Sequence, residues 1–150
     1  MAGPEVVVRS TAAPFAQQVE VGPHRFSADE PEASGGSDAG PDPYALLLAA
    51  LGSCTSMTLL MYARRKRWPL EQVVVRLRHD HVHAEDCADC EQQSAHVERI
   101  DRRIALAGPL DATQRTRLLD IANKCPVHRT LTSRIDIRSA LDDAAAGADA

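Results

Sequence analysis

The 150-residue sequence has no excess of positive charge: 17 lysines and arginines stand against 21 aspartates and glutamates, for a formal net charge of −4. That balance gives no electrostatic case for a nucleic acid or an anionic membrane as partner. A long uncharged apolar run is also lacking. The longest, Ala45 to Leu51, falls well short of the ~18 to 20 residues that a membrane span needs. It lies in mid-chain, without the basic front and cleavage site of a secretory signal, so a cytoplasmic location is the expectation. No internal repeat is present. At this length the chain suits one compact domain with a core, and it is too short for two ordinary ones. Its 44% apolar and 25% charged residues are typical of a soluble globular protein.

What the sequence does have is four cysteines. In a reducing compartment cysteines are catalytic, metal-binding or free more often than they form a structural disulfide frame. Function is therefore sought first at Cys54, Cys87, Cys90 and Cys125.

The first third reads as short extended runs, Val6-Val7-Val8, Phe15 to Val21 and His24 to Ala28, broken by Pro14 and by Gly22-Pro23. Asp29 to Pro43, rich in Pro, Gly, Ser and acids, reads as a long loop fit to rim a site. A helix follows, with Asp42 as its cap and Pro43 in the first helical position. Arg64, Arg65, Lys66 and Arg67 complement the dipole at its far end, and Pro69 follows. Leu47, Leu51, Cys54, Thr58 and Met61 fall at steps of three and four and so share one face. The rest of the helix is nearly as apolar, which predicts burial on every side, part of it against a second subunit. Strands are predicted over Gln72 to His83 and His96 to Ala107, with Ile100, Ile104 and Leu106 inside the second. Asp111 and Gln114 form a capping-box start to another helix. Leu118, Ala122 and Cys125 share its inner face, and Pro126 ends or kinks it. Arg134 to Leu141 reads as a last strand. The expected fold class is α+β: a single domain over residues 1–141, followed by an acidic, disordered tail over 142–150.

Each of two buried helices thus carries one cysteine, and two such helices in a small domain must pack together. A cysteine on an apolar helix face is most often a small buried hydrophobe. Two of them could also meet within disulfide reach, roughly 4 to 7 Å between Cα atoms.

PDPYALLLAALGSCTSMTLLMYARRKRWPL around Cys54 and IANKCPVHRTL around Cys125, with GPHRFSADEP before them and GPLDATQR between, resemble the OsmC/Ohr superfamily of organic hydroperoxide reductases. The resemblance runs from about Gly22 to Leu141 and is closest to the OsmC-like branch with the GSCTSMTL helix. It implies an intertwined homodimer, with sheets wrapped around two central cysteine-bearing helices. It also implies a thiol peroxidase: Cys54 attacks an organic hydroperoxide, or hydrogen peroxide, and becomes a sulfenic acid, and Cys125 resolves it to a disulfide. A dithiol such as a lipoyl group restores the pair, and no cofactor or metal is required.

The attacking form is the thiolate, of which an ordinary cysteine supplies only a few per cent at neutral pH. Cys54 lies about three turns into its helix, beyond the useful reach of the dipole, and so needs a cation. In the family that cation is an arginine from the early strands, held by a glutamate near the start of the cysteine helix. Arg9 and Arg25 are the candidates here. The glutamate position holds Tyr44, and the nearby carboxylates Asp42 and Glu30 do not match it. The alternative is a non-catalytic OsmC-like dimer that binds an apolar ligand or senses oxidants. His128, three residues after Cys125, is either a proton carrier or a structural residue at the helix end.

Cys87 and Cys90, with His79, His81, His83 and His96 around them, offer the residue types of a tetrahedral zinc set. Alternate strand residues stand ~6.6 Å apart, too far for three of these histidines to bind one ion. Two Cys plus two His, an accessory disulfide and an inert loop all stay open.

Overall fold

The computed structural model describes residues 2–83 and 96–142. Among the described residues, five strands and three α-helices run in the order β1 (Val6–Ser10), β2 (Gln17–Val21), β3 (His24–Ala28), α1 (Pro43–Lys66), β4 (Gln72–His83), β5 (His96–Ala107), α2 (Ala112–Ala122) and α3 (Pro126–Leu131), with a 3-10 turn at Glu32–Ser34. The strands form two antiparallel sheets, β1-β2-β3 and β4-β5. This is the α+β architecture expected.

The segment between β3 and α1 is organised by one side chain. Asp29 is buried, and its carboxylate accepts from the backbone N–H groups of Glu30 (2.8 Å), Ser37 (3.1 Å) and Ala39 (3.1 Å). The bond from Ala39, set against burial and joined by those from Glu30 and Ser37, holds its pKa below the ordinary carboxylate value. Gly40 here comes so close to Ser27 that an added Cβ would meet its carbonyl oxygen at 1.9 Å.

α1 starts as predicted, with Asp42 Oδ1 accepting from Ala45 N at 2.7 Å and Pro43 in the first turn. Its buried stripe, however, is Leu51, Thr55, Leu59 and Ala63, in steps of four. Of the expected face, Leu51 is buried, Cys54 and Thr58 are half-buried, and Leu47 and Met61 are exposed, Met61 at 59%. Periodicity says little where nearly every position is apolar. By length and composition α1 is apolar enough to cross a membrane, which corrects the reading from uninterrupted runs. Its hydroxyls explain the difference: Ser53 donates to Ala49 O and Thr55 to Leu51 O, each at 2.7 Å, so neither breaks the apolar character. One stripe of α1 nevertheless packs into the core. Leu59 joins Leu110, Leu118, Ile121 and Ala122 in the main cluster. At Gly52 the helix approaches β4 so closely that a Cβ would lie 2.8 Å from Leu77.

β4 and β5 occupy the predicted ranges, with Val75 opposite Ile104, Leu77 opposite Arg102 and His79 opposite Ile100. These pairs share the face turned toward α1. The capping box at Asp111 and Gln114 is formed. α2 ends at Ala122, so Cys125 is not on its inner face. It caps the separate helix α3, with φ −63° and ψ 146°, because a proline disfavours helical backbone in the residue before it.

The expected last strand, Arg134 to Leu141, has no regular structure. A strand needs a hydrogen-bonded neighbour, and among the described residues no strand lies beside it. The loop with Cys87 and Cys90, the side chains of His81, His83 and His96, and the tail from residue 143 lie outside the described residues.

Candidate active site

Cys54 and Cys125 come together where α1 meets α3. Both are free thiols, Cys54 partly exposed and Cys125 fully buried. Successive N–H groups of the first turn of α3 serve one sulfur each: Val127 N donates to Cys54 Sγ at 3.5 Å and His128 N to Cys125 Sγ at 3.4 Å. Held on N–H groups of adjacent residues, the two sulfurs lie close together.

Around Cys125 lies a polar network that the sequence reading missed. Thr55, fully buried one residue after Cys54, places Oγ1 3.8 Å from Cys125 Sγ. Arg102 of β5 donates from Nη1 to that oxygen at 3.0 Å, and from Nη2 to Asn123 Oδ1 at 2.9 Å and to His128 Nδ1 at 3.1 Å. An arginine can only donate, so His128 Nδ1 must accept and its proton sits on Nε2. Burial and the charge of Arg102 both lower the His128 pKa, which keeps the ring neutral. For Cys125, burial pushes the pKa up, but the His128 N–H, the Thr55 and Cys54 side chains and the charge of Arg102 outweigh it, and the thiol titrates below its ordinary value. Among the described residues no carboxylate lies in ion-pair range of Arg102.

A signal for Arg102 is present in the sequence. Ile100, Arg102, Ile104 and Leu106 alternate along β5, so the arginine sits on the apolar phase, where a charge is costly unless it is used.

The arginines named from the sequence lie elsewhere. Arg9 on β1 and Arg25 on β3 flank Glu20 of β2, at 2.9 and 3.5 Å. Their sheet makes no extensive contact with α1, whereas β4, α2 and α3 all pack on it. In this chain the structure therefore does not bring Arg9 or Arg25 to the thiols. Tyr44, at the position of the family's glutamate, stacks on His79 with ring centroids 4.5 Å apart and planes 9° apart. His79 Nε2 in turn pairs with Glu98 Oε2.

These residues rim a cavity of about 540 Å³ between α1, the β4-β5 sheet and α2-α3. Leu47, Leu51, Ile100 and Leu119 form its apolar walls, and Arg102 and His128 connect it to the thiol centre. Among the described residues no group of three or more His, Cys, Asp or Glu side chains is placed to hold a metal ion.

In fold the chain is similar to an OsmC-like protein from Mycoplasma pneumoniae, with a TM-score of 0.69, 16% identity and 87% of each chain covered. It is similar too to an organic hydroperoxide resistance protein OsmC from Legionella pneumophila, with a TM-score of 0.64, 15% identity, and 91% of this chain and 95% of that one covered. The organic hydroperoxide resistance protein OhrB of Bacillus subtilis has a TM-score of 0.61 at 16% identity, over 90% of this chain and 94% of that one. No curated protein matches the chain in sequence. The sequence model of OsmC-like proteins matches residues 35–140, a span that takes in α1, the β4-β5 sheet, both thiols and Arg102. The chain belongs to the OsmC-like protein family.

Proposed function

We propose that the protein is a thiol-dependent peroxidase that reduces organic hydroperoxides, with hydrogen peroxide as a lesser substrate. The observation that carries this reading is the thiol pair itself: a partly exposed Cys54 and a buried Cys125 whose sulfurs accept from the N–H groups of adjacent residues, Val127 and His128. Two free thiols so placed suit sequential chemistry. Cys54 attacks the hydroperoxide, the O–O bond breaks, and an alcohol leaves behind a sulfenic acid. Cys125 then attacks the Cys54 sulfur and expels the hydroxyl group as water, which leaves a disulfide. A dithiol such as a lipoyl group returns both sulfurs to the reduced state, in keeping with a reducing, cytoplasmic setting. Two relatives in fold that are named for organic hydroperoxide resistance support the substrate class.

The protein acts as a homodimer in this reading. Three apolar surfaces are uncovered in the single chain. They are Met57, Leu60 and Met61 on α1, Val6, Val8 and Phe26 on the first sheet, and Ile135, Ile137 and Leu141 after α3. A second copy would cover them and supply the strand neighbour that residues 134–141 lack. Arg9 and Arg25 enter as site residues across such an interface, since in their own chain both serve Glu20.

The test is turnover of cumene hydroperoxide by purified protein with a dithiol reductant. Cys54→Ser should abolish it, and retained turnover overturns the assignment. A second reading, a non-catalytic dimer that binds an apolar ligand, is favoured by the leucine-walled cavity and by Tyr44 at the glutamate position. Absence of wild-type turnover together with saturable binding of an apolar ligand would select it.

A further inference from the structure

Arg102 is a partly buried guanidinium held by three acceptors, Thr55, Asn123 and His128, none of which is charged. Two of the three also touch the Cys125 sulfur, Thr55 through its hydroxyl and His128 through its backbone N–H. The polar contact of Cys54, by contrast, is the N–H of Val127. The charge in this centre is thus organised about the second thiol. We propose that Arg102 is a positioning residue for the resolving step. It holds Thr55 and His128 around the Cys125 sulfur and presents an unneutralised positive charge to the thiolate that attacks oxidised Cys54.

This rests on the peroxidase reading and adds which thiol the fold assists. In the step itself the Cys125 thiolate forms a bond to the Cys54 sulfur. The S–O bond of the sulfenic acid breaks, and the departing hydroxide takes a proton from solvent to become water. The oxidising equivalents come from the hydroperoxide consumed in the first step. The titratable or charged groups that face Cys125 are Cys54 from α1, Arg102 from β5 and His128 from α3. His128 is neutral, so Arg102 supplies the positive charge. The single hydroxyl proton of Thr55 points to Leu51 O at 2.7 Å in the thiol state and can turn to the sulfur when Cys125 ionises.

The experiment is a rapid-mixing pulse of hydroperoxide onto reduced full-length protein, with separate readouts for sulfenic acid and for disulfide. In R102Q the pH at which disulfide formation reaches half its plateau should rise by about one unit or more. Below that midpoint the resolving rate should then fall roughly tenfold for each unit, because the thiolate is the attacking form. R102K should restore part of the shift, since it keeps the charge without the fork. A merely structural arginine would slow resolution by one factor at every pH and leave the midpoint in place, and that result overturns the proposal. If the wild-type protein forms no sulfenic acid, the peroxidase reading fails. The role of Arg102 is then read from thiolate absorbance, as the difference between C54S and C54S/C125S with and without R102Q. A Cys125 titration that R102Q leaves unmoved overturns the role.

Discussion

Replacing Thr55 by valine keeps the shape of the side chain and removes one hydroxyl. The position is fully buried, and the hydroxyl oxygen accepts from Arg102 Nη1 at 3.0 Å while donating to Leu51 O at 2.7 Å. Leu51 O belongs to a continuous helix and keeps its backbone partner, so little is lost there. Arg102 is left with one charged N–H and no acceptor. Stranding such a donor costs about 1.5 to 3 kcal/mol. The added methyl group recovers less than about 1 kcal/mol through apolar burial. The net expectation is a loss of about 1 to 2.5 kcal/mol, or a fall in Tm of roughly 2 to 10 °C for a chain of this size. Urea unfolding followed through the single tryptophan, Trp68, which packs edge-on against Tyr62, measures it. Protein concentration must be held fixed, because the midpoint of the proposed dimer would depend on it. The cause is isolated by a double-mutant cycle: in an R102Q background, T55V should cost about 1 kcal/mol less than in wild type. Additivity within about 0.5 kcal/mol would mean that the two side chains do not interact in solution, and the network drawn here would be wrong.

Two further outcomes are expected. The lowered pKa of Asp29 makes its contribution to the segment before α1 complete above the unfolded carboxylate value of 3.8, and the contribution is lost as pH falls through the lower folded value. Amide protection at Ser37 and Ala39 should therefore hold from neutral pH down to about 4 and collapse below it, while D29N should lack that protection even at pH 7; equal protection in the two proteins would refute the role of the carboxylate. Charges placed on the uncovered face of α1, as M57D with M61D, should convert the proposed dimer to a monomer by light scattering, whereas an unchanged dimer mass would show that this face is not the interface.

Much of the fold was legible because its determinants are local. Asp42 with Pro43, and Asp111 with Gln114, announce helix starts within four residues of sequence, and both caps are formed. The alternation of Val73, Val75 and Leu77 fixed β4 to the residue. What failed depends on information that is not local. Arg134 to Leu141 has the composition of a strand but no strand neighbour among the described residues. The buried stripe of α1 could not be picked from a helix apolar nearly all round; its packing partners, Leu77 at Gly52 and the α2 cluster at Leu59, decide it. The break between α2 and α3 was half visible. Pro126 was read as an end or kink after Cys125, but its pressure on the preceding residue puts the cysteine at a cap, where two N–H groups can reach the thiols.

The candidate site divides along the same line. Two motifs pointed to the thiols, and likeness to relatives in which a glutamate holds the cation pointed to arginines on the early strands. Tyr44 stacks on His79, and the guanidinium joined to Cys125 through Thr55 is that of Arg102 on β5. The arrangement about Arg102 has an electrostatic logic. A carboxylate that orients an arginine also cancels most of its charge, so such a pair presents little net field to a sulfur nearby. Thr55, Asn123 and neutral His128 orient Arg102 through three hydrogen bonds without cancelling any of it. The cost is an unpaired charge in a partly apolar setting, which a protein rarely sustains without use. That cost is readable in the sequence as an arginine in phase with Ile100, Ile104 and Leu106. On a half-buried strand, the charged residue on the apolar phase is the one to question first.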